Sequence, residues 1–332
     1  FLRAADEQWP ELIGDADPWV AWAATRCLAA QQEDDGDPQA SLRTIETLLG
    51  RLHGNDLAGI HLLELHLHRL QVLMSLGRYS QVIDACSRAQ VLLDRVLPSW
   101  GEFFRTTLRL EGAYCAVYLD PRPETADRLL ESLEPVDLPG TMRFIARSVR
   151  GELELTRGNA RTAALIQRVS LRYAGHWRTI LGSGSQWELY ILSMCLITDV
   201  ELSPDDAVEL DADAVRVRAT SLLRDILSDP APRQRDIPTI MAFVAAVGLS
   251  VVAAEDAAPD RRAVGAELVA TALAVGTNQT CRLLSHDYLH SRTEQLDARA
   301  LAQAEVRIRL LDRGELVAHA ADLAGRLAGE VG

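Results

Sequence analysis

The chain has 332 residues, with 34 basic and 47 acidic side chains and a formal charge of −13. Apolar residues make up 48% and aromatic residues 5%. That is too apolar for a disordered chain and too long to need disulfide staples, and the acidic balance argues against a dedicated nucleic-acid binder.

Every basic residue is arginine, which reads as a genome-level compositional bias rather than as chemistry. Alanine and leucine dominate with arginine, a mix that favours helices over sheets. The chain opens on Phe1 rather than Met, without a legible secretory leader. The expectation is a trimmed, cytoplasmic chain whose neighbouring domains lie elsewhere. Cys27, Cys86, Cys115, Cys195 and Cys281 are widely spaced and form no CxxC pair. They read as buried free thiols in apolar helices of a reducing compartment.

The predicted elements begin with a helical hairpin over 18–52, turning at Gly36-Asp37-Pro38. A second covers 58–97 and turns at Leu76-Gly77-Arg78. A third covers 102–135, with Asp120-Pro121-Arg122-Pro123 at its turn, and a fourth covers 141–175 and turns at Gly158-Asn159. A fifth spans 184–228 and contains an acidic segment with Asp199, Glu201, Asp205, Asp206, Glu209, Asp211 and Asp213. Within it, Ser203-Pro204-Asp205-Asp206 reads as a helix start. Ser228-Asp229-Pro230-Ala231-Pro232 reads as a break. Helices follow at about 237–255, 259–275, 280–292 and 297–328, the last interrupted at Gly314. The expected organisation is a repeat array over 1–230, continued or capped by a less regular helical part over 231–332.

The run from Ile237 to Ala254 carries no charge over 18 residues, about the length that spans a bilayer. Pro238, Thr239, Gly248, Ser250 and several alanines make it weakly hydrophobic, so it is expected to be a helix buried among helices.

The turns repeat a physical device. A glycine accepts positive φ and ends the first helix. Five places on, a compact residue (Ser41, Val82, Ala163, with Ala126 in the third hairpin) lets the second helix approach closely. Asp312-Arg313-Gly314-Glu315 is a weaker echo, because His319 stands where a small residue is expected. Gly36 and Gly77 are 41 residues apart, and Gly77 and Gly158 are 81 apart, consistent with units of about 40.

Gly77, Tyr79, Ala89, Gly151, Gly158 and Ala163 resemble the tetratricopeptide repeat, in units longer than its standard length. The stretched units resemble the sensor arrays of MalT-like and related actinobacterial transcription regulators, over about 18–230 with an echo at 300–328. That likeness implies an all-α solenoid of hairpins in a right-handed superhelix. It also implies a module that receives a protein or peptide, or a small effector. The first helices would line the concave face. By that register Gln71, Met74, Glu111, Tyr118, Ser148, Glu152, Thr156, Trp187 and Tyr190 point there, with core packing as the alternative for the apolar members. No phosphate-loop motif and no helix-turn-helix is present in the sequence, so ATPase or DNA-binding roles depend on other domains.

Arginine is concentrated between Arg143 and Arg178, eight against Glu152 and Glu154. Arg143, Arg147 and Arg150 share one helical face, and Arg161, Arg168 and Arg172 share a face of the next helix. Guanidinium forks suit an anion or an acidic partner. The alternative is pairing with an acidic neighbour such as 199–213. The candidate ligand-binding set is therefore Gln71, Glu111, Tyr118, Arg147, Arg150, Glu152, Trp187 and Tyr190. His286, His290 and Glu294 share a helical face, as do His61, Glu64 and His68, but neither is an HExxH arrangement. A metal-dependent enzyme is a minor alternative, and no metal, cofactor or catalytic set is assigned. Gly182-Ser183-Gly184 before a helix is a weak phosphate-loop signal. The favoured function is a sensing or binding module without membrane or direct nucleic-acid contact. The alternative is a scaffold that grips a peptide or partner without a small effector, and a homodimer is compatible with either.

Overall fold

The structure, a computed structural model, describes residues 9–52, 59–96, 102–119, 124–133, 140–181, 186–228, 236–254 and 257–329. Among them every regular element is helical and no strand occurs. The described residues fall into two compact units that divide at residue 137.

In the first unit a short α1 (Trp9–Leu12) precedes three hairpins. These are α2 (Pro18–Asp34) with α3 (Pro38–Arg51), α4 (Gly59–Ser75) with α5 (Tyr79–Val96), and α6 (Glu102–Leu119) with α7 (Glu124–Glu131). Each of these helices packs on the next in sequence. The second unit begins with α8 (Gly140–Thr156) and α9 (Ala160–Leu181). Then come α10 (Gln186–Val200), the short α11 (Pro204–Glu209) and α12 (Ala212–Leu227).

Three of the expected glycine turns are built identically. Gly36, Gly77 and Gly158 have φ of 79°, 67° and 80°. The glycine N–H donates three residues back, to Glu33, Met74 and Leu155, at 2.9 Å each time. The next N–H reaches five residues back, to Gln32, Leu73 and Glu154, at 2.7–2.9 Å. This double hydrogen bond closes the carbonyls that a helix end leaves orphaned. Ser41, Val82 and Ala163 are each 0% exposed five places later, as is Ala126. Ser41 uses its burial: its hydroxyl donates to Glu33 Oε1 at 2.7 Å, and His68 of α4 meets the same oxygen at 2.6 Å. Burial pushes the Glu33 carboxyl up, but the His68 and Ser41 hydrogen bonds prevail and hold it below its usual range. The turn at 120–123 and the break at 229–235 lie outside the described residues.

The rest of the second unit is not a simple run of hairpins. α13 (Ile237–Ala253) packs against α10, α12, α14 (Pro259–Val275) and α15 (His286–Ile308). The uncharged run is thus a buried central helix, with every residue from Ile240 to Val252 buried. No helix among the described residues is long and apolar enough to cross a membrane. α13 and α14 meet at two glycines. A Cβ on Gly248 would stand 2.5 Å from the Gly265 carbonyl oxygen, and one on Gly265 would stand 2.8 Å from that of Gly248. Only glycine at both positions permits this approach.

Three details differ from the sequence expectations. The final interruption is at Arg309–Asp312, not Gly314, which lies in the first turn of α16 (Arg313–Gly329). Asp312 Oδ1 accepts from Glu315 N at 2.9 Å, and Glu315 Oε2 accepts from Asp312 N at 2.8 Å, a reciprocal cap that needs no positive φ. His319 does not pack as a small residue. Its Nε2 lies 2.8 Å from Oε1 of the buried Glu267, whose other oxygen receives Arg307 at 3.1 Å, and α16 also packs on α12. Finally, Cys27 is exposed and Cys281 lies in the connection after α14 rather than within a helix; the other three cysteines are buried in helices.

Candidate ligand-binding cleft

The acidic segment is where the second unit becomes irregular. Ser203 Oγ accepts from Asp206 N at 3.3 Å and Pro204 fills the first helical position, so α11 starts as the sequence indicates. The corner before it is pinned to α15. Tyr288 Oη donates to Glu201 Oε1 at 3.1 Å, and Arg292 Nη2 donates to Glu201 Oε2 at 3.0 Å.

α11 is tied to α9 by the arginine face. Arg161 bonds Asp206 and forks onto Glu209 at 2.6 and 2.8 Å. Arg168 forks onto Asp199 at 2.6 and 3.0 Å and donates from Nε to the Leu210 carbonyl at 2.9 Å. For these two arginines, pairing with the acidic neighbour is the arrangement observed. Burial pushes the Asp199 carboxyl above its usual range, and the Arg168 fork counters only part of that.

Behind this strap lies a half-open cleft of about 620 Å³. Its walls are the end of α10 (Leu196, Asp199, Val200), α11 (Pro204, Ala207, Val208) and the start of α12 (Asp211, Ala212, Asp213, Arg216). Ser250, Ala253 and Ala254 at the end of α13 form another side, with Leu296 of α15. The volume is that of a small-molecule site. A second hollow of about 360 Å³ adjoins it, sharing Arg216 and Ala254. Two backbone irregularities border the cleft. Asp211 is the one non-glycine residue with positive φ among those described, at φ 53° and ψ 51°. α15 breaks at Asp297, next to Leu296, and Asp297 Oδ1 recaps the helix through Ala300 N at 2.9 Å.

The sequence candidates are distributed otherwise. Gln71 is exposed on α4, and Glu111 is half-buried on α6 with Oε2 enclosed and without a hydrogen-bond partner. Burial pushes the Glu111 carboxyl up to about 8. Met74 is core, 4% exposed, which answers the concave-face expectation with the packing alternative. In the second unit Arg147 and Arg150 are half-buried on α8, Glu152 is 2% exposed and Thr156 is exposed. Tyr190 Oη lies 3.0 Å from Ser148 Oγ, so the first helices α8 and α10 do meet there. The side chains of Tyr118, Trp187, Tyr114 and Arg178, and the loop 182–185, lie outside the described residues.

The histidine faces are divided among separate partners. His286 Nε2 accepts from Thr277 N at 3.2 Å, while His290 Nε2 meets Glu305 at 3.0 Å. His61 Nδ1 lies 3.3 Å from Glu64 Oε2, and its ring sits between Trp19 and Trp22 at centroid distances of 4.6 and 4.3 Å, whereas His68 meets Glu33. No group of three metal-ligating side chains occurs among the described residues. The Trp19–Trp22–His61 cluster went unread in the sequence, although Trp19 and Trp22 lie three apart on α2, which was the available signal. It is partly open, with Trp19 47% exposed and Arg26 set 5.2 Å over Trp22. The cleft itself had no motif; only the acidic segment marked its wall.

No family model, curated protein or solved structure matches this chain.

Proposed function

We propose that this chain is a ligand-sensing helical array, the receiving part of a transcriptional or signalling regulator, that binds its effector without transforming it. The observation that carries this reading is the cleft between α10, α11, α12 and α13, whose α11 wall is strapped to the preceding hairpin by Arg161 and Arg168. α11 is only six residues long and packs mainly on α12, so its position depends on those two arginines. A ligand that presses on Ala207 and Val208 shifts α11 and pulls on α9. Stacked hairpins transmit such a shift to their neighbours, and a right-handed superhelix would convert it into a change of pitch.

The test fills the cleft. Ala207→Trp occupies it from the α11 side, where Ala207 is half-buried, and leaves the ion pairs in place. Thermal melting of the full chain against a small-molecule collection is expected to give stabilising compounds that lose their effect on a folded Ala207→Trp variant. Equal stabilisation of both proteins would refute the assignment.

A second reading, a peptide-gripping scaffold, has one observation in its favour. The Trp19, Trp22 and His61 rings form an accessible aromatic surface on α2 and α4, and aromatic anchors dominate peptide interfaces. Trp19→Ala would then abolish capture of a polypeptide and leave the cleft compounds unaffected.

A further inference from the structure

We infer that His286 is an acid-sensitive clasp: its neutral imidazole holds the connection between α14 and α15, and protonation releases it. The inference stands apart from the ligand-binding reading of the cleft.

The geometry carries it. α14 ends at Gly276, which has φ of 105°, and the chain then runs to the Ser285 cap of α15. Thr277 is 5% exposed, and its backbone N–H donates to His286 Nε2 at 3.2 Å. No other acceptor takes that N–H among the described residues. A backbone N–H can only donate, so Nε2 must offer its lone pair and the ring proton must stand on Nδ1. A proton added at Nε2 occupies that lone pair. It turns the acceptor into a donor facing another donor, and leaves a buried N–H without a partner.

The same connection joins three helices. Thr277 Oγ1 donates to the Leu284 carbonyl at 3.3 Å, and Gln279 Oε1 accepts from His286 N at 3.4 Å. Asn278 N donates to the Pro238 carbonyl at 2.8 Å, which fastens the connection to the first turn of α13. Further along α15, Tyr288 and Arg292 hold Glu201, and Leu296 lines the cleft. The clasped turn is therefore the start of a helix that supports the cleft.

The surroundings favour the neutral ring. Burial holds His286 below the usual histidine range, and its chain neighbour Asp287 opposes this only in part. None of the other charged groups on the packed elements acts on it appreciably, among them Asp236 before α13, Glu267 on α14, Glu201 after α10, Arg282 in the connection, and His290 and Arg292 on α15. With the folded-state value lowered from 6.5, the clasp contributes stability above pH 6.5 and loses it as the pH falls below.

Hydrogen exchange of the full chain, corrected for the intrinsic rate at each pH, compares the connection after Gly276 with α13. Between about pH 7.5 and about pH 5, where histidine changes charge, protection of the connection is expected to fall about fivefold or more. That is the scale of one buried N–H losing its partner, and α13 is expected to keep its protection. His286→Gln does not titrate and offers a carbonyl oxygen in place of Nε2, so the pH difference is expected to vanish. Long-range proton–nitrogen NMR of the wild type at about pH 7.5 reads the tautomer whether or not the variant folds, and is expected to place the ring proton on Nδ1. A proton on Nε2, protection that acid leaves unchanged, an equal fall throughout α13, or the same fall in a folded His286→Gln variant would overturn the inference.

Discussion

Arg168 and Asp199 form the most enclosed ion pair of the acidic strap: their side chains are 11% and 8% exposed, and the guanidinium also closes the Leu210 carbonyl at the end of α11. One side chain therefore ties the Asp199 wall of the cleft to the end of α11. Arg168→Ala strands a buried carboxylate and a carbonyl together, and is expected to cost about 3–5 kcal/mol in urea unfolding. Arg168→Lys should recover only part, because an ammonium lacks the fork. A loss below about 1 kcal/mol for Arg168→Ala would show that the pair does not organise the strap.

Glu111 makes stability depend on pH. Its carboxyl is pushed up to about 8 by burial, from an ordinary value near 4.5. Between these values the folded state keeps a proton that the unfolded state releases, so this group's contribution to stability falls as pH rises and levels off above about 8. Its slope approaches about 1.4 kcal/mol per pH unit. Glu111→Gln should remove that part of the slope and be more stable than the wild type at pH 8.5. Parallel stability–pH curves for the two proteins would contradict the assignment.

Two glycines should respond in opposite senses to alanine. At Gly248 the new methyl would meet the Gly265 carbonyl at 2.5 Å, and backbone cannot yield as a side chain tip does. A loss of about 1–3 kcal/mol is expected, with the α13–α14 packing displaced. At Gly50, exposed near the end of α3, nothing lies within 4 Å, so Gly50→Ala should stabilise by about 0.5–1 kcal/mol. Thermal unfolding of the two variants decides both signs.

The turn glycines isolate backbone from packing. Gly158 has φ of 80° and open space around its missing side chain. Gly158→Ala should therefore cost about 1–2 kcal/mol from conformation alone. A loss well above that in a calorimetric melt would mean that the glycine serves packing too.

Much of the helical plan was legible because it is local. The Gly36, Gly77 and Gly158 turns and the Ser203-Pro204 helix start are written in adjacent residues, and so is the uncharged run of α13. Gly314 misled because a capping box, Asp312 with Glu315, performs the same task without left-handed backbone. The cleft was not legible, since it joins Leu196, Val208, Ala254 and Leu296, which only tertiary packing brings together. The arginine face was legible as charge but not as partnership. Whether Arg161 and Arg168 face a ligand or the acidic segment depends on how α11 folds back over α9. The concave-face list depended on repeat register, and Met74 shows how an apolar member of such a list becomes core.

The proposed function requires that the cleft beside α11 hold a small effector. Native mass spectrometry of the full chain after incubation with a small-molecule cell extract, run beside the Ala207→Trp variant and under denaturing conditions, tests it most directly. A small adduct is expected on the native wild type, lost on denaturation and absent from the folded variant. An adduct retained by Ala207→Trp, or a polypeptide captured with no small mass at all, would contradict it.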